Sequence, residues 1–240
     1  MTRTVKAMLF DLDGTLLDHD TAATTALTQA LRATPGLDDV DHAQAGRRWQ
    51  ELEEAAMNRY LSGQLTFTEQ RRLRVISLAA ELGLGNWNTT KADAWFANYL
   101  NHYESVWSIY PDVRPMLDAL NQHHPHLLLG VLTNGDAEQQ RKKLETVGLD
   151  LALPHVIASS EVGAAKPNPK IFQQGCARLG LPPDEIAYIG DRLHTDALAA
   201  TNAGLLGIWL NRTGTPTPDG PPTIRTLKDL PTLLADPNIR

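Results

Sequence analysis

Five short stretches of the 240-residue chain are apolar almost without interruption, and each stops abruptly at a polar group or a glycine. They are residues 5–10, ending at Asp11; 127–132, followed by Thr133-Asn134-Gly135-Asp136; 155–158; 186–189, broken by Gly190-Asp191; and 207–210. A strand with no polar alternation has no face to give to water, so such strands belong in a parallel sheet covered on both sides. Helical patterns lie between them. Residues 111–121 carry Val113, Met116, Leu117 and Leu120 at helical spacing, and 137–147 are rich in Gln, Lys, Arg and Glu with Gly148 as a stop. Residues 169–179 and 196–203 read likewise. Strands alternating with helices imply right-handed crossovers and a doubly wound α/β fold with a mainly parallel sheet.

Residues 18–107 break this rhythm. They show no strand signal, only helical patterns separated by Pro35-Gly36, Ser62-Gly63 and Gly83-Leu84-Gly85. The expected organisation is an α/β core of residues 1–17 and 108–240, with an all-helical domain of residues 18–107 inserted after the first strand. Residues 213–222 read as a Pro/Gly/Thr loop, followed by an edge strand at Thr223-Ile224-Arg225 and a short helix from Lys228.

Composition excludes several classes. With 42% hydrophobic and 21% charged residues the chain matches ordinary globular proteins rather than disordered ones. A formal charge of −6 argues against nucleic-acid or membrane-surface binding, which needs a basic field, though local groups can still receive a small anion. The single cysteine, Cys176, rules out an intramolecular disulfide and a cysteine zinc cluster. No apolar stretch is long enough for a membrane span, and the run after the basic residues 1–6 stops too soon for a signal-peptide core. A cytoplasmic location is expected.

Four polar clusters follow apolar strands, and in an open α/β sheet ligands bind outside the carboxyl ends of the strands. Asp11-Leu12-Asp13-Gly14-Thr15 offers two carboxylates, one able to act as a nucleophile and the other to move a proton, with Gly14 to make the turn. Thr133-Asn134 offers a hydroxyl and a nearby backbone N–H for a phosphate oxygen. Lys166, in a loop constrained by Pro167 and Pro169, offers a point charge. Asp191 and Asp196, in the stretch from Gly190, offer the oxygen donors that Mg²⁺ prefers. Singly, each also reads as a strand-end turn, a solvated lysine or a helix-start carboxylate.

Together and in this order, these residues resemble the haloacid dehalogenase-like superfamily. Asp11-Leu12-Asp13-Gly14-Thr15-Leu16 and Lys166-Pro167-Asn168-Pro169-Lys170-Ile171-Phe172 are similar to its first and third motifs, and the helical insertion is similar to the subgroup with a cap at that point. The resemblance implies a Mg²⁺-dependent phosphatase acting on a small phosphate monoester. In it Asp11 becomes an aspartyl phosphate, and Asp13 protonates the leaving oxygen and then activates water. Thr133, Asn134 and Lys166 bind the phosphoryl group. Asp11, the Asp13 carbonyl and Asp191 hold the metal. Thr15 and Asp196 support the site, Asp196 orienting the metal shell or Lys166. The superfamily's dehalogenases lack an acid at the position of Asp13, so dehalogenation is not expected. A phosphosugar mutase would use the same groups, and a phospho-accepting switch without turnover is the alternative of another class. The sequence names no substrate and no oligomeric state.

Other features read as structure. Trp95, Tyr99, Tyr103 and Trp107 recur every four residues, as a packing seam or a stacking platform. Arg71, Arg72 and Arg74 read as a charged helix face, His123-His124-Pro125-His126 as a solvated loop, and Asp38, Asp39 and Asp41 as a helix start.

Overall fold

The computed structural model describes residues 4–37, 39–215, 220–236 and 239. Asp38 and parts of the basic start and of the 213–222 loop therefore lie outside the described residues. The chain forms two compact units, one of Met1–Asp18 with Ser108–Arg240 and one of His19–Trp107.

In chain order the elements begin with β1 (Ala7–Phe10), then the helical unit of α1 (His19–Arg32), α2 (His42–Leu61), α3 (Phe67–Glu81) and α4 (Thr89–Ser105). The α/β unit resumes with α5 (Val113–His123), β2 (Leu128–Thr133), α6 (Ala137–Thr146), β3 (His155–Ala158), α7 (Ser159–Val162), α8 (Pro169–Leu179) and β4 (Ile186–Gly190). It closes with α9 (Leu198–Asn202), β5 (Leu206–Leu210), β6 (Thr223–Ile224) and α10 (Leu230–Leu234).

The six strands order as β3-β2-β1-β4-β5-β6, and every neighbouring pair is parallel. All four residues of β1 are buried. Alternation along the strand sends Ala7 and Leu9 into a cluster with Leu132, Ile157, Phe172 and Ile186, and Met8 and Phe10 to the opposite face. Such two-sided burial explains why the run lacks polar residues. The sequence-predicted helix from Asp196 starts earlier and differently: a single π-turn over Leu193–Ala197 leads into α9. A π-turn inside a helix commonly marks a functional site.

In the helical unit, local chemistry sets the helix starts. Asp41 caps α2 by accepting from the N–H groups of Ala43 and Gln44, and Thr66 with Glu69 forms a capping box on α3. Helix α1 packs on α4 and α2 on α3. The aromatic series is the packing seam: Trp95 and Tyr99 stack at 6.1 Å, as do Tyr99 and Tyr103, and Trp49 meets Tyr99 edge-on at 5.0 Å. The charged-face expectation fails for Arg74. Only 4% exposed, it lies 4.2 Å above the Trp49 ring and 3.0 Å from Glu53 Oε1. A guanidinium spread over an indole face is held by the ring's quadrupole as well as by its carboxylate. Arg72 is paired with Asp93 at 2.6 Å, and Arg71 lies over the rings of Phe67 and Phe96. Among the described residues no helix is long and apolar enough to cross a membrane.

Candidate active site

The strand order reverses direction between β1 and β4, and the loops leaving these two strands carry Asp11 and Asp191. This is the switch point at which open α/β sheets bind ligands. Asp11 follows β1 directly, and its N–H donates to the Ile189 carbonyl at 2.8 Å, which holds Asp11 against β4. The loop then turns at Gly14, whose φ of +85° suits glycine. A Cβ there would also lie 2.7 Å from Asp191 Oδ2, so only glycine lets the two loops approach this closely. The next residue, Thr15, is fully buried and binds Asp191 twice: its hydroxyl donates to Oδ1 and accepts from the backbone N–H, both at 3.1 Å. On the far side, the Trp209 indole donates to the Asp191 carbonyl at 2.9 Å.

Lys166 brings the clusters to one point. Its ammonium stands 2.7 Å from Asp11 Oδ1, 2.7 Å from Asp196 Oδ1 and 2.8 Å from the Tyr188 hydroxyl. The Tyr188 hydroxyl in turn donates to the Leu132 carbonyl. Asp196, fully buried in the π-turn, also accepts from the Arg192 N–H at 2.9 Å. The side chain of Asn134 clamps the peptide groups of Lys166, accepting from its N–H at 2.7 Å and donating to its carbonyl at 3.0 Å. That side chain holds the backbone of the lysine. Thr133 ends β2, buried, with long contacts of 3.4 Å to the Asn134 carbonyl and the Gln140 amide.

Asp13 meets a second lysine. Both of its carboxylate oxygens lie 2.7 Å from the ammonium of Lys143 on α6, and Oδ2 also accepts from Gln140 Nε2 at 3.2 Å. The two acids of the first motif thus face different cations. The histidine tract is remote from both, preceding β2 at the amino end of the sheet.

Burial dominates the electrostatics of Asp11. It lifts the carboxyl to about 7; the pull of Lys166 in the other direction is met by the repulsion of Asp196 and Asp191. Asp191 is raised too, first by burial and then by Asp196. Burial pulls the Lys166 ammonium down, but Asp11 and Asp196 together outweigh it and leave it raised. Asp11, Asp191 and Asp196 each offer an oxygen, all within 4.8 Å of one another. Three carboxylates around one ammonium carry an excess of negative charge in a buried place. An all-oxygen donor set of this kind suits a hard divalent cation such as Mg²⁺.

A model of the haloacid dehalogenase-like hydrolases matches residues 5–204, most of the chain. The chain belongs to this family. It is similar to the glyceraldehyde 3-phosphate phosphatase of Methanopyrus kandleri, with 34% identity over 87% of this chain and 84% of the relative. Its identity to the human N-acylneuraminate-9-phosphatase is 27%, over 88% and 84% of the two chains. With relatives named as phosphatases along most of its length, this haloacid dehalogenase-like chain is a phosphoric monoester hydrolase. In fold it is similar to the hydrolase YfnB of Bacillus subtilis, solved bound to magnesium. The TM-score is 0.80 at 23% identity, covering 98% of this chain and all of that one.

Lys143, Gln140 and Tyr188 are contacts of this haloacid dehalogenase-like site that sequence reasoning missed. Helix α6 carried one usable signal. Ala137, Gln140 and Leu144 fall on one helical stripe, so Gln140 occupies a core-facing position in a helix otherwise read only as polar. Tyr188 sat inside an apolar strand run, where a phenol needs a partner when buried.

Proposed function

We propose that this enzyme hydrolyses a small-molecule phosphate monoester in two steps, through an aspartyl phosphate on Asp11, with Mg²⁺ as its metal. The observation that carries the reading is the buried Lys166 ammonium, 2.7 Å from the Asp11 carboxylate at the switch point of the sheet. A carboxylate meets a phosphate dianion only where positive charge offsets their repulsion, and a fixed lysine in a site drier than water supplies it.

Asp11 attacks phosphorus, forming its O–P bond as the bond to the leaving oxygen breaks. Asp13 gives that oxygen a proton. Asp13 then takes a proton from water as the water attacks phosphorus, the Asp11 O–P bond breaks, and phosphate leaves with Asp11 restored. Lys166, the Thr133 hydroxyl and the Asn134 backbone N–H hold phosphoryl oxygens, and the Asn134 side chain fixes the backbone of Lys166. Asp11, Asp191 and the Asp13 backbone carbonyl would hold Mg²⁺, which supplies further charge compensation to the phosphoryl oxygens. Asp196 orients Lys166, and Thr15 orients Asp191.

All these groups lie in the α/β unit, so the choice of ester is assigned to the helical insertion of residues 18–107, acting as a cap. The names of the relatives support an organic phosphate of metabolite size and suggest the panel to test: glyceraldehyde 3-phosphate, an N-acylneuraminate 9-phosphate, phosphoserine and a pyrimidine 5′-nucleotide. Phosphate release is measured for each with Mg²⁺ and with EDTA. Release from at least one ester, lost in EDTA, is expected. Isomerised sugar phosphate without release, or a stable acyl phosphate without turnover, would overturn the reading.

A further inference from the structure

We infer that Lys143, assisted by Gln140, is a positioning residue for Asp13: the pair fixes on α6 the carboxylate that moves the proton. This rests on the reading of Asp13 given above.

An ammonium is costly to bury unless it is paired. Lys143 is only 3% exposed, although its helix neighbours Arg141 and Lys142 reach further into solvent. An apolar side chain of similar length would fill that place at less cost, so the charge calls for a function. Its ammonium meets both oxygens of Asp13 symmetrically, at 2.7 Å each. The Gln140 amide adds a third contact to Oδ2 and also donates to the Asn134 carbonyl at 3.1 Å, linking Asp13 to the loop that holds Lys166.

The platform itself is fixed. Asp136 caps the start of α6 through the Gln139 N–H, and the hydroxyls of Ser159 and Ser160 accept from the N–H groups of Gly135 and Ala137. A carboxylate on a two-bond side chain otherwise samples several rotamers, and a group that first gives and then takes a proton must aim correctly in both half-reactions. The ion pair removes that freedom before substrate arrives.

The test compares Lys143→Met, Lys143→Arg, Gln140→Leu, Asp13→Asn and the double variant Asp13→Asn/Lys143→Met on two esters. p-Nitrophenyl phosphate has a leaving group that needs little protonation, whereas glycerol 2-phosphate needs a proton. kcat/KM reports the phosphorylation half-reaction for both. Lys143→Met is expected to lower kcat/KM by roughly a hundredfold for the alkyl ester and less than about tenfold for the aryl ester, the span of general-acid effects. Lys143→Arg should recover most of the loss, and the double variant should be no worse than Asp13→Asn alone. Equal losses on both esters, or losses that multiply in the double variant, overturn the inference. If Asp13→Asn itself fails to separate the two esters, the proton-transfer reading of Asp13 falls instead. Should Lys143→Met not fold, Gln140→Leu and Lys143→Arg decide: without a leaving-group contrast in Gln140→Leu, the inference is wrong.

Discussion

Thr15 and Asp191 stand 176 positions apart in the chain and exchange two hydrogen bonds, each 3.1 Å long. The hydroxyl gives its proton to the carboxylate and takes one from the backbone of the same residue. This reciprocal pair locks the loop after β1 to the loop after β4, and so sets the distance between the two acids proposed to share a metal.

Replacing Thr15 by valine keeps the shape and removes both bonds. A loss of about 1–2 kcal/mol of stability is expected, since the buried N–H of Asp191 is left without its acceptor. The Mg²⁺ concentration for half-maximal activity should rise several-fold, because Asp191 is no longer aimed. Thr15→Ser should restore both. An unchanged Mg²⁺ titration in Thr15→Val would separate this hydroxyl from the metal site.

Asp11→Asn should cost at least roughly a thousandfold in kcat, about 4 kcal/mol of barrier. Yet the metal-free variant should be the more stable protein. The Asp11 carboxyl is raised on folding from its ordinary 3.8 to about 7, mainly by burial. A group raised in this way contributes its full stability below pH 3.8 and loses it as pH climbs through 7. Thermal melts in EDTA should therefore show Asp11→Asn above the parent at pH 8, with the gap closing towards pH 4. A parent that melts higher than the variant at pH 8 in EDTA would contradict the buried, repelled carboxylate.

Much of this site was legible because its residues stand where a strand ends. Asp11 and Asp191 each interrupt an apolar run, and a fully buried strand leaves its first polar residue at the carboxyl edge of the sheet. The order of the motifs then supplied Lys166. What stayed hidden was pairing. The Asn134 side-chain amide spans the two peptide groups of Lys166, a contact across 32 positions that no local pattern encodes. Arg74 read as a surface charge because charge is the ordinary sign of exposure, and Lys143 carried no signal of its own; each is buried with a partner from another element. The π-turn before α9 was invisible because it opens the helical segment, with no earlier turn against which a shift of hydrophobic phase could show.

Asp112 supplies a test of stability away from the chemistry. Its carboxylate accepts two bonds from Arg212, one from the Thr226 hydroxyl and one from the Leu227 N–H, and Arg212 also donates to the Thr15 carbonyl. Burial pushes this carboxyl up, but Arg212, Leu227 and Thr226 together outweigh it and hold it below its ordinary 3.8. The stability gained is present above that value and is lost as pH falls through the depressed one. Asp112→Asn should lose about 2 kcal/mol at pH 7, less than a fully buried pair because Arg212 is partly exposed. Denaturant titrations at pH 7 and pH 3 should show the two proteins converging at the lower pH. A difference that persists undiminished at pH 3 would assign the loss to shape rather than charge.

Lys166→Met should act in the opposite sense to Asp11→Asn. It deletes the cation that stands between Asp11 and Asp196 and leaves their repulsion uncompensated. In EDTA at pH 8 the variant should melt below the parent, and Mg²⁺ should narrow the gap: carboxylates freed of the competing ammonium bind the cation more tightly, so the variant gains more from it by mass action. The catalytic loss should be uniform. Lys166 is proposed to meet the phosphoryl group, which every ester shares, so kcat/KM should fall by a similar factor for p-nitrophenyl phosphate and for each member of the metabolite panel. A residue that instead contacted the leaving group would spare the small aryl ester, since interactions with the non-reacting part of a substrate are absent when that part is absent. A Lys166→Met variant that kept p-nitrophenyl phosphate hydrolysis while losing the larger esters would move Lys166 out of the phosphoryl site, even with its distance to Asp11 unchanged.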